Sequence, residues 1–275
     1  MVLAKKKWTR KGPKKGPRKS KAIRPSKIFT KKVKKIISGV AETKQAHYNY
    51  GNTLTNFNSG ISGTLDMLQV IPNIDKGDDD NQRSGDQITA KTLTISGHIK
   101  LYPPTQVSGT YPNQPKISNL TCRLMILSMK KAGSYDMATA ANGNLTSLLR
   151  KGGTNTAFTG VISDLYSPIN RELFTVHEDR LINLSQSYVF YPQATAQTSS
   201  CVAIDEKDSV RFFKKSLKIR NKVFRYDPTT SGGILPTNYG PFMILGYVYT
   251  DGSGADTLNT QIGMTYISTL NYEDV

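Results

Sequence analysis

The chain reads as an all-β sandwich of antiparallel strands preceded by a basic N-terminal arm. Three observations predict this. Residues 92–101, TLTISGHIKL, alternate strictly: Leu93, Ile95, Gly97, Ile99 and Leu101 share one face, and Thr92, Thr94, Ser96, His98 and Lys100 the other. That is the period of a half-buried strand. After Ala41, Thr, Val, Ile, Tyr and Phe are enriched, while Gly, Pro and Asn punctuate the chain, as strands joined by turns require. The first 36 residues carry 16 Lys and Arg and no acid, the first acid being Glu42.

The strands follow in order. Ile88 and Ala90 have the opposite parity to Leu93 and Ile95, which predicts a bulge near Lys91. Residues 120–128 repeat the alternation with Leu120, Cys122, Leu124 and Ile126, and residues 262–270 with Ile262, Met264, Tyr266 and Leu270. Further strands are expected at about 64–72, 172–183, 209–219, 222–227 and 241–250, eight in all. The run PFMILGYVYT (241–250) is apolar on both faces, as a central strand would be. Leu145, Leu148 and Leu149 predict one short helix, ended by Gly152. The connections at 102–118, 131–170, 184–207 and 228–240 are long. Long connections in an all-β domain predict an eight-stranded jelly roll, whose strands cross between two sheets, rather than a meander.

The charge is confined to one end. Removing the arm's 16 from the 37 basic residues leaves 21 against 20 acids, a net of +1 for the rest of a chain whose total is +17. Residues 1–45 therefore read as a disordered or partly helical arm, and 46–275 as the folded domain. Lys5, Lys6, Lys7, Arg10, Lys11, Lys14, Lys15, Arg18, Lys19, Lys21, Arg24, Lys27, Lys31, Lys32, Lys34 and Lys35 can each meet a phosphate without reading a base. Trp8 can stack on an exposed base. The clusters KKKWTRK (5–11) and KKGPRKSK (14–21) have the form of nuclear-import signals. Phe29, Val33, Ile36, Ile37 and Val40 form one stripe at helical spacing, with Ser26 as N-cap and Gly39 as stop. That pattern predicts an amphipathic helix over about 27–38, packed on the body or, alternatively, lying on a membrane.

A second basic stretch, 207–225, holds Lys214 and Lys218 at a spacing that points both to one strand face, a second phosphate surface. The segment DKGDDDNQRSGD (75–86) groups Asp75, Asp78, Asp79 and Asp80, hard oxygen ligands of the kind Ca²⁺ takes. It departs from an EF-hand at Gly77, Asp80 and Asp86, so no metal site is assigned. The simpler reading is a solvated loop in which Arg83 and Gly85 shape a turn and Arg83 pairs with a carboxylate. The trio His177-Glu178-Asp179 is read as a polar turn. The chain carries no GxSxG, P-loop, HExxH or CxxC motif, which argues against an enzyme and calls for no cofactor. Cys122 and Cys201 read as free thiols. No run of apolar residues is long enough for a membrane span, and no apolar stretch follows the basic N-terminus as a secretory signal would need.

A basic arm before a loop-rich β body is the layout of many small icosahedral capsid proteins. DNQRSGDQITAKTLTISGHIKL (80–101) resembles the segment of circular Rep-encoding single-stranded DNA virus capsid proteins in which an acidic turn with Asn, Gln, Arg and Gly leads into a long amphipathic strand. ELFTVHEDRLINL (172–184) and SVRFFKKSLKIRNKVFRYD (209–227) resemble later strands of the same group. The arm here is Lys-rich where circoviruses carry a nearly pure Arg arm. The resemblance implies a jelly-roll shell subunit in a virion. It also implies self-assembly, in the simplest shell as 60 copies, around single-stranded DNA bound by inward-pointing arms, with passage through the host nucleus by way of an import receptor. Sixty arms would bring on the order of a thousand positive charges to the genome. A small RNA virus capsid protein, a cellular basic-tailed nucleic-acid-binding protein and an enzyme with a basic targeting tail are the alternative classes.

Overall fold

Strands that bury one face need a second apolar layer, and here two sheets supply it for each other. The computed structural model describes Lys32 and residues 42–57, 60–61, 66–102, 107–108, 115–192, 198–205, 207–229, 233–250 and 261–274. The chain divides into two units, Met1–Val40 and Ala41–Val275. Of the first unit only Lys32 is described; it is exposed and helical. The rest of the helix expected over 27–38 lies outside the described residues.

The second unit is all-β with antiparallel pairing, as expected. Its strands are β1 (Glu42–Phe57), β2 (Leu68–Gln69), β3 (Gln87–Tyr102), β4 (Val107–Ser108), β5 (Pro115–Met129), β6 (Leu149–Lys151), β7 (Thr154–Thr156), β8 (Phe174–Pro192), β9 (Thr198–Asp205), β10 (Val210–Arg225), β11 (Pro241–Tyr249) and β12 (Gln261–Asp274). One sheet runs β1-β12-β3-β10, a second runs β2-β11-β5-β8-β9-β4, and β6 and β7 form a hairpin. The main core lies between the two large sheets. Leu93, Ile95, Met264 and Leu270 of the first meet Leu124, Ile126, Met243 and Leu245 of the second.

The other face of β5 and β11 is covered too. Met125, Leu127, Phe242, Ile244 and Val248 pack under Leu145, Leu148, Leu149, Phe158, Leu165 and Ile169. All nine residues of β11 are therefore buried, as its unbroken apolar run predicts. Phe158 lies over Gly246, where an added Cβ would come 2.6 Å from the ring.

The bulge expected at Lys91 is present, and both neighbours of β3 step past it. Thr92 and Ala90 pair with Asn271 and Tyr272 on one side and with Lys218 and Lys222 on the other. The strands expected at 209–219 and 222–227 are thus one strand, β10. Ile219, Arg220 and Asn221 bulge opposite Lys91, with Arg220 and Asn221 at φ 53° and 58°, the left-handed region in which Asn is at home.

Other expectations need correcting. The strand expected at 64–72 is described only at Leu68–Gln69; Pro72 follows, without an N–H for a ladder. β1 was not among the eight expected strands. The connection expected at 184–207 is mostly the end of β8 and all of β9, because β5 supplies β8 with partners as far as Val189. The start of β5 and β4 occupy part of 102–118. Within 131–170 lie α1 (Tyr135–Ala140), a 3₁₀ turn (Asn142–Ser147), the β6–β7 hairpin and α2 (Ile162–Tyr166). Leu145 is in the 3₁₀ turn and Leu149 in β6, so the short helix expected there is a 3₁₀ turn that stops at Ser147, and Gly152 sits in the hairpin turn rather than ending the helix.

Gly97 lies in β3 opposite Tyr266 of β12. A Cβ there would sit 2.2 Å from the Thr265 carbonyl oxygen and 2.6 Å from Tyr266 Cβ. Gly97→Ala is expected to cost about 1–3 kcal/mol by forcing two central strands apart. Unfolding by denaturant checks this, and an unchanged midpoint would refute the close approach.

Candidate nucleic-acid interface

Apart from Lys32, the arm residues from Lys5 to Lys35, Trp8 among them, lie outside the described residues. Lys214 and Lys218 are described, and both are exposed on the outer face of the four-stranded sheet. On β10, Phe212, Lys214, Ser216 and Lys218 are exposed and alternate with buried Phe213 and Leu217, so both lysines do point together. Across the sheet, Lys218 pairs in register with Thr92, then Asn271 and Gln45; Lys214 pairs with Ser96, then Ile267 and Asn49. Hydrogen bonds tie these rows. Gln45 Nε2 donates to Asn271 Oδ1 at 3.1 Å, and Asn271 Nδ2 to Thr92 Oγ1 at 2.9 Å. His47 Nδ1 and Thr269 Oγ1 lie 3.1 Å apart. From these rows to Lys100, no outward position carries Asp or Glu. Beyond the bulge, Glu273 is paired with Lys91 at 2.7 Å.

Three other cations of the basic stretch are engaged, while Arg220 and Arg225 are exposed near and beyond the bulge. Lys215, of the inward parity, pairs with Glu178 of β8. Arg211 pairs with Asp208 at 2.7 Å. Lys222 lies 4.1 Å from the centre of the Tyr239 ring, and burial lowers its pKa. Phe212 lies beside the two lysines and was not among the residues expected to bind. The signal was available, since Phe212 shares their parity in VRFFKKSLK.

The acidic segment is a loop fastened from below. Asp75, Asp78, Asp79 and Asp80 are exposed, and among the described residues no group of three or more His, Cys, Asp or Glu converges as metal ligands. Arg83 is buried at 2% exposure. Its Nη1 donates to the Gly85 carbonyl and lies 3.3 Å from Asp86 Oδ1; its Nη2 donates to the Gly233 carbonyl at 2.7 Å. Its guanidinium stacks 4.4 Å from the Tyr226 ring centre. Arg83 thus shapes the turn and pairs with a carboxylate, as its place in the motif suggests. Buried Lys44 of β1 donates to the Gln82 carbonyl at 3.1 Å and lies 3.5 Å from Asp274. Asp274 in turn accepts from the Ser84 N–H at 2.7 Å. Burial opposes the charge on Lys44, but Glu42 and Asp274 outweigh it and raise its pKa.

The trio at 177–179 lies in β8, not in a turn. Its members part company: His177 Nε2 is 2.7 Å from Ser128 Oγ, Glu178 meets Lys215, and Asp179 takes Arg123. Arg123 is 3% exposed. It binds Asp179 in bidentate fashion, Nε at 2.8 Å and Nη2 at 2.7 Å, while Nη1 donates to the carbonyls of Asp164 and Ser167 at 2.5 and 2.7 Å. Asp164 is fully buried at the start of α2. It accepts from the N–H groups of Thr159 and Val161 at 2.7 and 3.2 Å and pairs with Lys151, as an acid in a helix's first turn does. Burial alone would push its carboxyl up, yet Lys151 and the Thr159 and Val161 donors hold it below the usual range. A depressed folded-state pKa gives stability that is present above the unfolded value and lost as pH falls through the folded one. We therefore expect Asp164→Asn to remove part of the acid destabilisation below about pH 4, where an ordinary Asp titrates. Melting temperature against pH checks this, and parallel curves for the two proteins would refute it.

Cys122 is a buried free thiol, and burial pushes its pKa up. Among the described residues no helix is long and apolar enough to cross a membrane. No protein-family model matches the chain, and neither does any curated protein.

Proposed function

We propose that this protein is the shell subunit of a small icosahedral virus, packaging a single-stranded DNA genome through its basic arm. The observation that carries this reading is the joining of an acid-free run of 16 cations to a two-sheet body of net charge +1. A polycation without acids binds polyanions, while a neutral body can tile without self-repulsion.

The strand order supports a jelly roll. Taken in chain order, β1, β2, β3, β5, β8, β10, β11 and β12 fall in sheets one, two, one, two, two, one, two and one. That is the alternation of two sheets joined by crossing connections. A candidate surface for contacts between copies supports assembly: Val161, Ile162 and Tyr166 near α2 and Leu181 on β8 are 43–75% exposed. Tyr166 and Leu181 flank a concavity of about 400 Å³ beside Arg123. On this reading the clusters at 5–11 and 14–21 serve nuclear import, and Lys214 and Lys218 add to the arm's phosphate contacts. The protein acts by assembly, not catalysis.

Electron microscopy of the purified full-length protein is the test. Uniform spherical particles with nuclease-protected DNA are expected. Protected RNA would reassign the genome. A monomer that binds nucleic acid without forming particles would overturn the shell reading in favour of a cellular basic-tailed protein.

A further inference from the structure

The sheet face that carries Lys214 and Lys218 also exposes an aromatic ring. Phe212 is 78% exposed although its strand neighbour Phe213 is buried. Its cross-strand partner is His98, with ring centroids 5.7 Å apart and planes tilted by 52°. Along β10, Phe212 and Lys214 are two residues apart, about 7 Å on a strand. Around them the face carries short polar side chains such as Ser96, Thr94 and Ser216, which leave the ring accessible.

We propose that Phe212, braced by His98, is a stacking platform for a base of single-stranded nucleic acid whose phosphates rest on Lys214 and Lys218. This rests on the reading that the protein binds single-stranded nucleic acid, and it adds base stacking on the sheet to phosphate contact. Charge decides the kind of partner. Cations without acids on this part of the face select a polyanion, and an aromatic ring beside them selects one with unpaired bases, because a base within a duplex offers no free face. Stacking of this kind accepts any base, so the platform adds affinity without sequence preference.

The test compares full-length protein with Phe212→Ala, Phe212→Trp and the double variant Lys214→Gln/Lys218→Gln. The probe is a fluorescent oligothymidylate, titrated over a salt series. Phe212→Ala is expected to weaken binding roughly 5- to 100-fold at every salt concentration with the slope unchanged, because stacking releases no counterions. Phe212→Trp is expected to restore the affinity. The lysine pair is expected to flatten the log–log slope by about 1.4, two phosphates at 0.7 each. Because Phe212 is exposed, melting temperatures should match wild type. If Phe212→Ala binds like wild type while removal of the arm abolishes binding, the platform is wrong and the arm's role stands. If wild type itself fails to bind the oligomer, both fall. If Phe212→Ala changes the oligomeric state and not the affinity, the face belongs to a second copy of the chain and the platform is refuted.

Discussion

Deleting residues 2–36 is expected to strip the purified protein of nucleic acid. The ratio of absorbance at 260 to 280 nm should fall to that of pure protein. The cause is the removal of 16 of 17 net charges, each of which can displace a counterion from a phosphate. For wild type, a single-stranded probe should show a log–log salt slope with a ceiling of about 13 in magnitude, about 0.7 for each of the arm's 16 cations and the two sheet lysines. The truncated protein should retain only the shallow slope of its sheet lysines. The body should still fold, since Ala41–Val275 holds both apolar clusters. Undiminished co-purification at moderate salt would show that the arm is not the main binding element.

Replacing Arg123 by Ala is expected to give the largest loss of stability among single changes. Its guanidinium joins β5, β8 and α2 through one carboxylate and two carbonyls. Removal leaves the Asp164 and Ser167 carbonyls without this donor and Asp179 without its partner. Breaking a buried pair from one side costs about 3–5 kcal/mol, which lowers the melting temperature of a domain this size by on the order of 10 °C. Lys should not rescue, because a single ammonium cannot replace the planar fork. Arg150 is the control. Its pair with Glu172 at 2.8 Å is half exposed on one side and more so on the other, so Arg150→Ala should cost less than about 1 kcal/mol. Equal melting shifts for the two variants would show that burial of Arg123 contributes nothing. On the shell reading, Arg123→Ala should also impair particle formation, because α2 carries Tyr166.

The parts of this fold legible in the sequence are those written in local parity. The switch between Ala90 and Leu93 announces the Lys91 bulge, and the unbroken run 241–249 announces a strand buried on both faces. Lys214 and Lys218 could be placed on one face for the same reason. What parity could not supply is pairing at long range. In β1 the polar, outward Gln45, His47 and Asn49 alternate with the inward Lys44, Ala46, Tyr48 and Tyr50, so the strand has a short inward stripe, but the stripe opens on a lysine and parity names no partner for it. Its partner lies 226 residues away at Gln45 and Asn271. The ends of β8 and β9 are likewise rich in Ser, Thr and Gln and become strands by pairing. The segment 131–170 looks like a linker, yet it supplies a second apolar layer, because its leucines are spaced for a 3₁₀ turn and a hairpin. Arg123 meets Asp179 and Asp164 at separations of 56 and 41 residues, which no local pattern encodes.

The pairing of β1 with β12 has a kinetic consequence. Among the described strands, β1 emerges first during synthesis, but its partner in the sheet, β12, emerges last. β12 also separates β1 from β3, so the four-stranded sheet cannot grow strand by strand as the chain appears. β1 must wait with its ladder unmade until nearly the whole body has been translated. Closure over such a separation delays contacts that would reward it, and a waiting strand is an open template for wrong partners. Refolding should therefore show a slow phase in which β1 and β12 gain hydrogen-exchange protection last, while the β5–β11 pair is protected early. Simultaneous protection of both pairs would exclude this order. Yield of correctly folded subunits would then be governed by how long β1, with Tyr48 and Tyr50 still uncovered, stays unpaired.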